Sequence, residues 1–172
     1  MAGAVDLFRN TTGDWLLGYS RRIGITTILV AELWAVRDGL HLARDRGFRN
    51  LELSIDSLQI VTSLLDSKTP TPSPIFTLLL DCRSLRNKFW TVRIRHIHRE
   101  MSRVTDRMAK GTVLQTVDFA IHSFAPNYVH QLLFLDVNEL STLRHVGSSV
   151  SSNSVTLFDC VITPASVHTT IV

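Results

Sequence analysis

The sequence has few of the features that mark disulfide-rich, zinc-binding or membrane proteins. It contains only two cysteines, Cys82 and Cys160, which lie far apart in the sequence. Two cysteines are too few for a disulfide-rich scaffold, and their spacing is not that of zinc ligands. A reducing compartment therefore fits best, and no feature of the sequence decides between nucleus and cytoplasm. The most apolar stretch, 28–36, is short and contains Glu32, and the first residues lack the basic and apolar regions of a secretory signal. We therefore predict no membrane segment.

A strong excess of one charge is also lacking. The chain carries 18 Lys and Arg against 15 Asp and Glu, a net charge of +3, which permits a polyanionic partner without indicating one. Hydrophobic residues make up 45% and charged residues 19% of the 172 positions, as in ordinary globular proteins with a packed core. No glycine-rich phosphate loop follows a predicted strand, which disfavours a nucleotide-binding domain. We expect one domain with tails, as a monomer.

Hydrophobic periodicity predicts alternating strands and helices along the first two thirds of the chain. The predicted order is strands near 4–9 and 14–21, a helix from 28 to about 46, a strand at 51–55, helices at 57–65 and 75–89, a strand near 90–97 and a helix at 104–113. Helices between strands let neighbouring strands run parallel, whereas the opening hairpin is antiparallel. The pattern predicts an α/β domain with a mixed central sheet flanked by helices.

The periodic pattern weakens after Gln115. From Gly147 onward, a Ser-rich run is followed by a mixture of Val, Thr and Ile without a clear amphipathic period. We therefore predict a domain over residues 1–116, a C-terminal extension over 117–146 and a disordered tail over 147–172.

Three acidic residues stand at the predicted ends and starts of elements. Each has a simple structural interpretation: Glu32 as a helix-start acid, Asp56 as an N-cap, and Asp106 as a solvated acid beside Arg103 and Arg107. Together they could converge at one end of the sheet, where α/β proteins place their sites. Clustered carboxylates suit Mg²⁺, and two such ions can drive phosphodiester hydrolysis. The set therefore indicates either a metal site or no convergence at all.

Four motifs occur in an order typical of one family. They are Gly-Asp-Trp-Leu-Leu-Gly-Tyr-Ser at 13–20, Ala-Glu-Leu-Trp-Ala at 31–35 with Gly39-Leu40, Ile-Asp-Ser at 55–57, and His-Ile-His-Arg-Glu-Met-Ser-Arg-Val-Thr-Asp at 96–106. With these motifs the chain resembles the reverse-transcriptase-associated, plant-type ribonuclease H family, over about residues 2–110 and weakly over 118–146. The resemblance implies a ribonuclease H-like fold and a plant, retrotransposon-related origin.

The resemblance also implies an activity. Members of the family are endonucleases that hydrolyse the RNA strand of RNA–DNA hybrids with four carboxylates and two Mg²⁺ ions. Glu32, Asp56 and Asp106 match three of these catalytic metal ligands. The fourth stands in an Asp-Gly motif on the family's first strand, which we expect to be missing here, with unpaired strand edges beside the gap. Asp6 is the nearest acid and is expected to be a strand or turn residue. We therefore expect weak or no activity.

Basic residues near the last motif could bind nucleic acid, since arginine pairs well with phosphate. The candidates are Arg95, Arg99, Ser102 and Arg103, although a solvated surface explains the arginines equally well. Ser102 replaces the family's asparagine but can still cap the following helix. His96 matches an accessory family histidine, but its phase in the strand favours a buried, hydrogen-bonded structural role. Trp34 and Trp90 are expected in the core. The alternative function is a non-catalytic module that binds nucleic acid or protein.

Overall fold

A tight β-hairpin opens the chain. The computed structural model describes residues 2–66, 73–89, 91–98, 103–112, 115–135 and 155–161. Strands β1 (Ala2–Arg9) and β2 (Trp15–Gly24) pair antiparallel across a turn in which Gly13 has a φ of 91°. The Asn10 side chain accepts hydrogen bonds from the backbone N–H groups of Thr12 and Asp14, which fixes the turn. The predicted hairpin is confirmed.

The next elements begin at side-chain caps. Helix α1 (Ile28–Asp45) begins after Thr27, whose hydroxyl accepts from the Val30 N–H, and Gly47 follows its end with a φ of 74°. After β3 (Asn50–Ile55), helix α2 (Leu58–Leu65) is capped in the same way by Ser57. The interpretation of Asp56 as this N-cap is therefore wrong, because the shorter Ser57 side chain stands one residue closer to the helix.

The remaining elements follow the predicted order. They are α3 (Ser73–Arg86), β4 (Thr91–His96), α4 (Arg103–Thr112), β5 (Phe119–His122), a 3₁₀ turn (Asn127–Val129), a helical segment over 130–135, and β6 (Val155–Val161). The predicted strands and helices up to α4 are confirmed in type and approximate position. The predicted cap of α4, Ser102, lies outside the described residues, as does the turn over 67–72.

One mixed sheet joins all six strands in the order β4-β3-β6-β1-β2-β5. Strand β6 lies between β1 and β3, antiparallel to β1 and parallel to β3. The mixed α/β fold class is confirmed. The expected unpaired edges beside a missing strand are wrong, because β6 pairs with both neighbours. The expected disorder of the tail is also wrong for Val155–Val161.

The sheet is covered on both faces. On one face, a large core gathers Phe8, Leu53 and Ile55 against α1 and α3. On the other face, a smaller core joins Val5 and Leu7 to residues of α4. Alternate residues of β1 therefore enter different cores, and every residue of that strand is buried.

The segment after α4 contributes to this structure. Strand β5 pairs with β2, and Val129 is fully buried in the smaller core. The boundaries set at residues 116 and 146 stay a prediction. Within the described ranges, no helix has the length and apolar character needed to span a bilayer.

Candidate active site at one end of the sheet

Asp56 marks the end of the sheet where the candidate site lies. Strands β3 and β4 run parallel, with Ile55 paired to His96 at their last positions. The Ile97 N–H donates to the Ile55 carbonyl at 2.9 Å and extends this pairing by one residue. Asp56 follows directly and is half-buried. Its carboxylate therefore stands at the carboxyl end of two parallel strands, the usual position of sites in α/β sheets.

Glu32 reaches the same end on one face of the sheet. It lies in the second turn of α1 and is only 8% exposed. Its neighbour Ala31 packs against Ala2, the first residue of β1. Because β1 runs opposite to β6 and β3, its start and the end of β3 lie at the same end of the sheet, with β6 between them. Glu32 lies beyond the first helical turn, where the helix dipole is most effective. The dipole therefore does not explain why this carboxylate is buried.

Asp106 approaches from the other face. It lies in the first turn of α4 and is half-buried. Val104 of the same turn packs in a cluster with Ile97, the residue that follows β4. The start of α4 is therefore at the end of the sheet that carries Asp56. Because the side chain is partly covered, the interpretation of Asp106 as a solvated acid beside Arg103 and Arg107 is only partly correct.

The three carboxylates thus share one end of the sheet but come from different elements and faces. Their oxygens are of the kind that Mg²⁺ prefers. Within the described ranges, however, no three His, Cys, Asp or Glu side chains are grouped closely enough to hold a metal ion.

Asp6 has a different environment from these three residues. It is completely buried in β1, and its carboxylate accepts a hydrogen bond from the Leu7 N–H at 3.2 Å and lies 3.2 Å from the Tyr19 hydroxyl. The Tyr19 hydroxyl also donates to the Ala35 carbonyl in α1. The expectation that Asp6 is a strand residue is confirmed. Together, the contacts of Asp6 and Tyr19 link β1, β2 and α1.

Asp159 is the acidic residue that sequence reasoning missed. In β6 its Cα is the direct partner of Asp6. The sequence of β6 did not indicate that this segment joins the sheet, because it follows a Ser-rich run and pairs with strands that are far away in sequence. A search for a β-branched and aromatic run beyond Ser154 would have found the strand, but not its place in the sheet.

The predicted nucleic-acid-binding residues are only partly described. Arg95 is 60% exposed and forms an ion pair with Glu52 on the neighbouring strand. Arg103 is half-buried at the start of α4, whereas Arg99 and Ser102 lie outside the described residues. An exposed surface arginine can exchange one partner for a phosphate at little cost. A phosphate-binding role therefore stays a prediction.

His96 departs from its predicted environment. The side chain is exposed, so its expected burial is wrong, because β4 is an edge strand of the sheet. The expected hydrogen bond is present: Nε2 lies 3.1 Å from the Asp56 carbonyl. The imidazole also contacts the ring of His98 edge to face, with centroids 6.0 Å apart. His96 therefore contacts the backbone of a candidate site residue.

Trp34 lies between two arginines on the outer side of α1. The guanidinium carbons of Arg21 and Arg37 lie 5.3 and 5.0 Å from its ring centroid. Arg21 is also paired with the buried carboxylate of Asp38, and burial raises the pKa of Asp38 above its ordinary value against the opposing effect of that arginine. Trp34 is half-buried, so its predicted place in the core is only partly correct. Trp90 lies outside the described residues.

Comparison with known proteins points to one family. The family described as "Reverse transcriptase-like" matches residues 1–112. A protein of Arabidopsis thaliana named "Putative ribonuclease H protein" is 31% identical over 133 residues, which is 77% of this chain. The chain spans 21% of the length of that relative.

Solved structures share the fold. RNase H1 from the halophilic archaeon Halobacterium salinarum superimposes with a TM-score of 0.54 over 58% of this chain and 75% of its own, at 24% identity. The N-terminal RNase H domain of a Mycobacterium tuberculosis protein gives 0.51 over 63% of this chain and 91% of its own, at 16% identity. At these identities the structures support the fold alone.

Proposed function

Because the chain belongs to the reverse transcriptase-like family and has a ribonuclease H-like fold, we propose that it binds RNA–DNA hybrids at the end of the sheet that carries Asp56. The supporting observation is the position of three carboxylates, Glu32, Asp56 and Asp106, at that end. Acidic residues on three separate elements have no common structural reason to occupy one end of a sheet. The resemblance supplies one, since each matches a metal ligand of the family.

Hydrolysis of the RNA strand is the reaction proposed for this site. Bound Mg²⁺ would activate water and compensate the charge that develops on the phosphate. Glu32, Asp56 and Asp106 are the residues that would hold it. Residues 1–172 contain a match for only three of the four family carboxylates, so we propose that this chain alone cleaves slowly or not at all. Loss of one preorganised group that stabilises the charge of a transition state commonly costs about 10²–10³ in rate.

Phosphate contacts would come from the basic residues near α4. Arg95 and Arg103 stand on β4 and at the start of α4, on either side of the 97–102 segment. We propose that Arg99 and Ser102 within that segment contribute to the same contact. Each phosphate neutralised by an arginine adds to the salt dependence of binding. His96 is proposed as an accessory residue through its contact with the Asp56 backbone.

Binding and cleavage can be measured separately on the same labelled hybrid. Binding is followed by fluorescence anisotropy in EDTA, and cleavage by gel analysis with Mg²⁺ or Mn²⁺. The test variant is Asp56→Asn, and the control is Asp45→Asn, an exposed acid at the far end of α1. We expect hybrid binding by all three proteins. Any cleavage should be lost in Asp56→Asn and kept in Asp45→Asn.

The result that overturns the proposal is folded protein with no preference for the hybrid over double-stranded DNA. Cleavage that persists unchanged in Asp56→Asn would remove Asp56 from the site and indicate a contaminating nuclease. Binding with no cleavage by any form would support a second candidate function, a non-catalytic binding module. That candidate is favoured by the match of only three residues to the four carboxylates of the family.

A further inference from the structure

Three aromatic side chains are exposed on the segment that follows α4. Phe124 is 86% exposed, Phe134 70% and Tyr128 49%. The backbone that carries them is anchored, because Val129 is fully buried in the smaller core and Leu133 packs against it. We propose that these three rings, together with two basic residues of α4, form a surface that binds single-stranded nucleic acid. This binding goes beyond the proposed recognition of RNA–DNA hybrids and does not require the carboxylates at the end of the sheet.

Two features bring Phe124 and Phe134 to the same part of the surface. The Nε2 atom of His130 lies 2.9 Å from the carbonyl oxygen of Ala125, the residue that follows Phe124. His130 and Phe134 are four positions apart in the helical segment over 130–135, so they share one face of that helix. Phe124 and Phe134 therefore both lie near the exposed His130 ring.

Tyr128 joins this surface to α4. A Cβ atom built on Gly111 would lie 3.2 Å from the Tyr128 hydroxyl oxygen. Arg107 stands four residues before Gly111, on the same face of α4. Burial raises the pKa of Tyr128, and the positive charge of Arg107 partly offsets this rise. The phenol ring therefore lies against the exposed face of α4, beside an arginine.

The charged side chains that are exposed beside the rings are basic. Arg107 and Lys110 are both exposed on α4. Residues 119–135 contain no Asp or Glu, and Asp118 before them forms an ion pair with Arg22. Exposed aromatic rings beside basic residues suit a nucleic-acid strand, because the bases stack on the rings while the cations contact the phosphates.

A single strand fits these features better than a duplex does. The bases of a duplex already stack on one another, whereas unpaired bases leave their faces open to an aromatic side chain. Stacking and phosphate contacts carry little sequence information. We therefore expect RNA and DNA strands of mixed sequence to bind to this surface.

The stacking contacts are tested by fluorescence anisotropy in EDTA with a labelled single-stranded RNA of about 12 nucleotides. Phe124→Ala and Phe134→Ala should each weaken binding about fivefold or more, because each removes a ring on which a base stacks. Tyr128→Phe keeps the ring and should bind like the natural chain. Phe76→Ala is the matched control, since Phe76 is 43% exposed on α3 and should not contact the RNA. Circular dichroism checks that each variant is folded.

The phosphate contacts are tested by the salt dependence of the same binding. The double variant Arg107→Ala/Lys110→Ala should lower the slope of log affinity against log salt concentration by about 1.4, which corresponds to two lost phosphate contacts on a single strand. Arg46→Ala/Lys88→Ala is the matched control, because both residues are exposed near helix ends remote from α4. The control should keep the slope of the natural chain.

Two results overturn the inference. One is a folded natural chain that does not bind the single strand. The other is binding that Phe124→Ala, Phe134→Ala and the double variant of α4 leave unchanged. Sedimentation that shows a dimer, abolished by Phe124→Ala, in a chain that binds no single strand would overturn it in favour of a second copy on this surface.

The proposed function is followed in parallel on a blunt-ended RNA–DNA hybrid. Phe124→Ala and Phe134→Ala should leave the affinity for this duplex unchanged, because it offers no unpaired bases. If the hybrid does not bind while single-strand binding responds to the variants, the proposed function fails and the inference of a single-strand surface is supported.

Discussion

Strands β1 and β6 are neighbours in the sheet, yet they are held in different ways. β1 pairs with β2 along its whole length, from Ala2 opposite Gly24 to Arg9 opposite Trp15 beside the turn, and all its residues are buried. β6 begins at residue 155, and both strands with which it pairs precede it by more than a hundred positions. A hairpin is formed by local signals, whereas such long-range pairing depends on the rest of the sheet being present. We therefore expect β1 to belong to the stable part of the fold and β6 to the part that opens first.

The largest expected difference between the two strands is in their core residues. Phe8 of β1 is completely buried and packs against Phe48, with ring centroids 5.6 Å apart. Phe8→Ala should lower the free energy of unfolding by about 3–5 kcal/mol. Val155 of β6 is only partly buried, so Val155→Ala should cost about 1 kcal/mol. Urea denaturation measures both. Equal losses of unfolding free energy in the two variants would contradict the view that β1 is held more firmly than β6.

Gly18, which pairs with Leu7 of β1, tests how tightly the hairpin is packed. A Cβ atom at this position would lie 2.5 Å from Trp15 Cζ2 and 2.6 Å from Cη2. Because the indole would have to move, Gly18→Ala should cost about 1–3 kcal/mol. In the double variant with Trp15→Phe, the smaller ring should recover part of this loss. Additive effects of the two changes would show that the indole is not the obstacle.

Tyr19 tests the polar link between the hairpin and α1. Its hydroxyl donates to the Ala35 carbonyl and lies 3.2 Å from the Asp6 carboxylate. Tyr19→Phe removes this buried hydrogen bond, so thermal or urea unfolding should show a loss of about 1 kcal/mol. Tyr128→Phe, at a half-exposed site, is the control and should be nearly neutral. A neutral Tyr19→Phe would mean that the Asp6 side chain contributes nothing through this contact.

The smallest expected effect is the pH dependence contributed by His122 on β5. Burial lowers the pKa of His122 below its ordinary value of 6.5, and Nε2 lies 3.0 Å from the Ser20 hydroxyl. The unfolded chain therefore binds the proton more readily. The contribution of His122 is complete above pH 6.5 and is lost as the pH falls through that value. His122→Gln should flatten the dependence of stability on pH between 8 and 5.

Part of the slope should remain in that variant, because burial also lowers the pKa of His41. Denaturation midpoints at several pH values measure the difference. An unchanged slope in His122→Gln would exclude His122 as a contributor and leave His41 as the remaining candidate.

Most of the fold was predictable because its signals are local. Turn residues near Gly13, the apolar stripe of α1 and the alternation of β3 each identify an element within about 20 residues. The cap of α2 was misassigned by one position, since Asp56 and Ser57 are both good capping residues. Local patterns do not specify which distant strands pair, so the position of β6 could not be read from its sequence.

The candidate site was predictable only as a set of residue types. Motif order identified Glu32, Asp56 and Asp106, and the fold places their elements at one end of the sheet. The burial of Glu32 and the exposure of His96 depend on helix packing and on the edge position of β4, which the sequence does not specify. Asp159 could not be identified as a neighbour of Asp6 either, because that requires the position of β6 in the sheet.

The most direct test of the account is the backbone pairing of β6 in solution. Nuclear Overhauser contacts can be measured in isotope-labelled protein at the Asp6–Asp159 and Leu53–Leu157 pairs. We predict backbone contacts from β6 to both β1 and β3, which weaken when Leu157 is replaced by proline. Direct backbone contacts between β1 and β3 in the natural sequence would contradict the account, because they would leave no place for β6 between them.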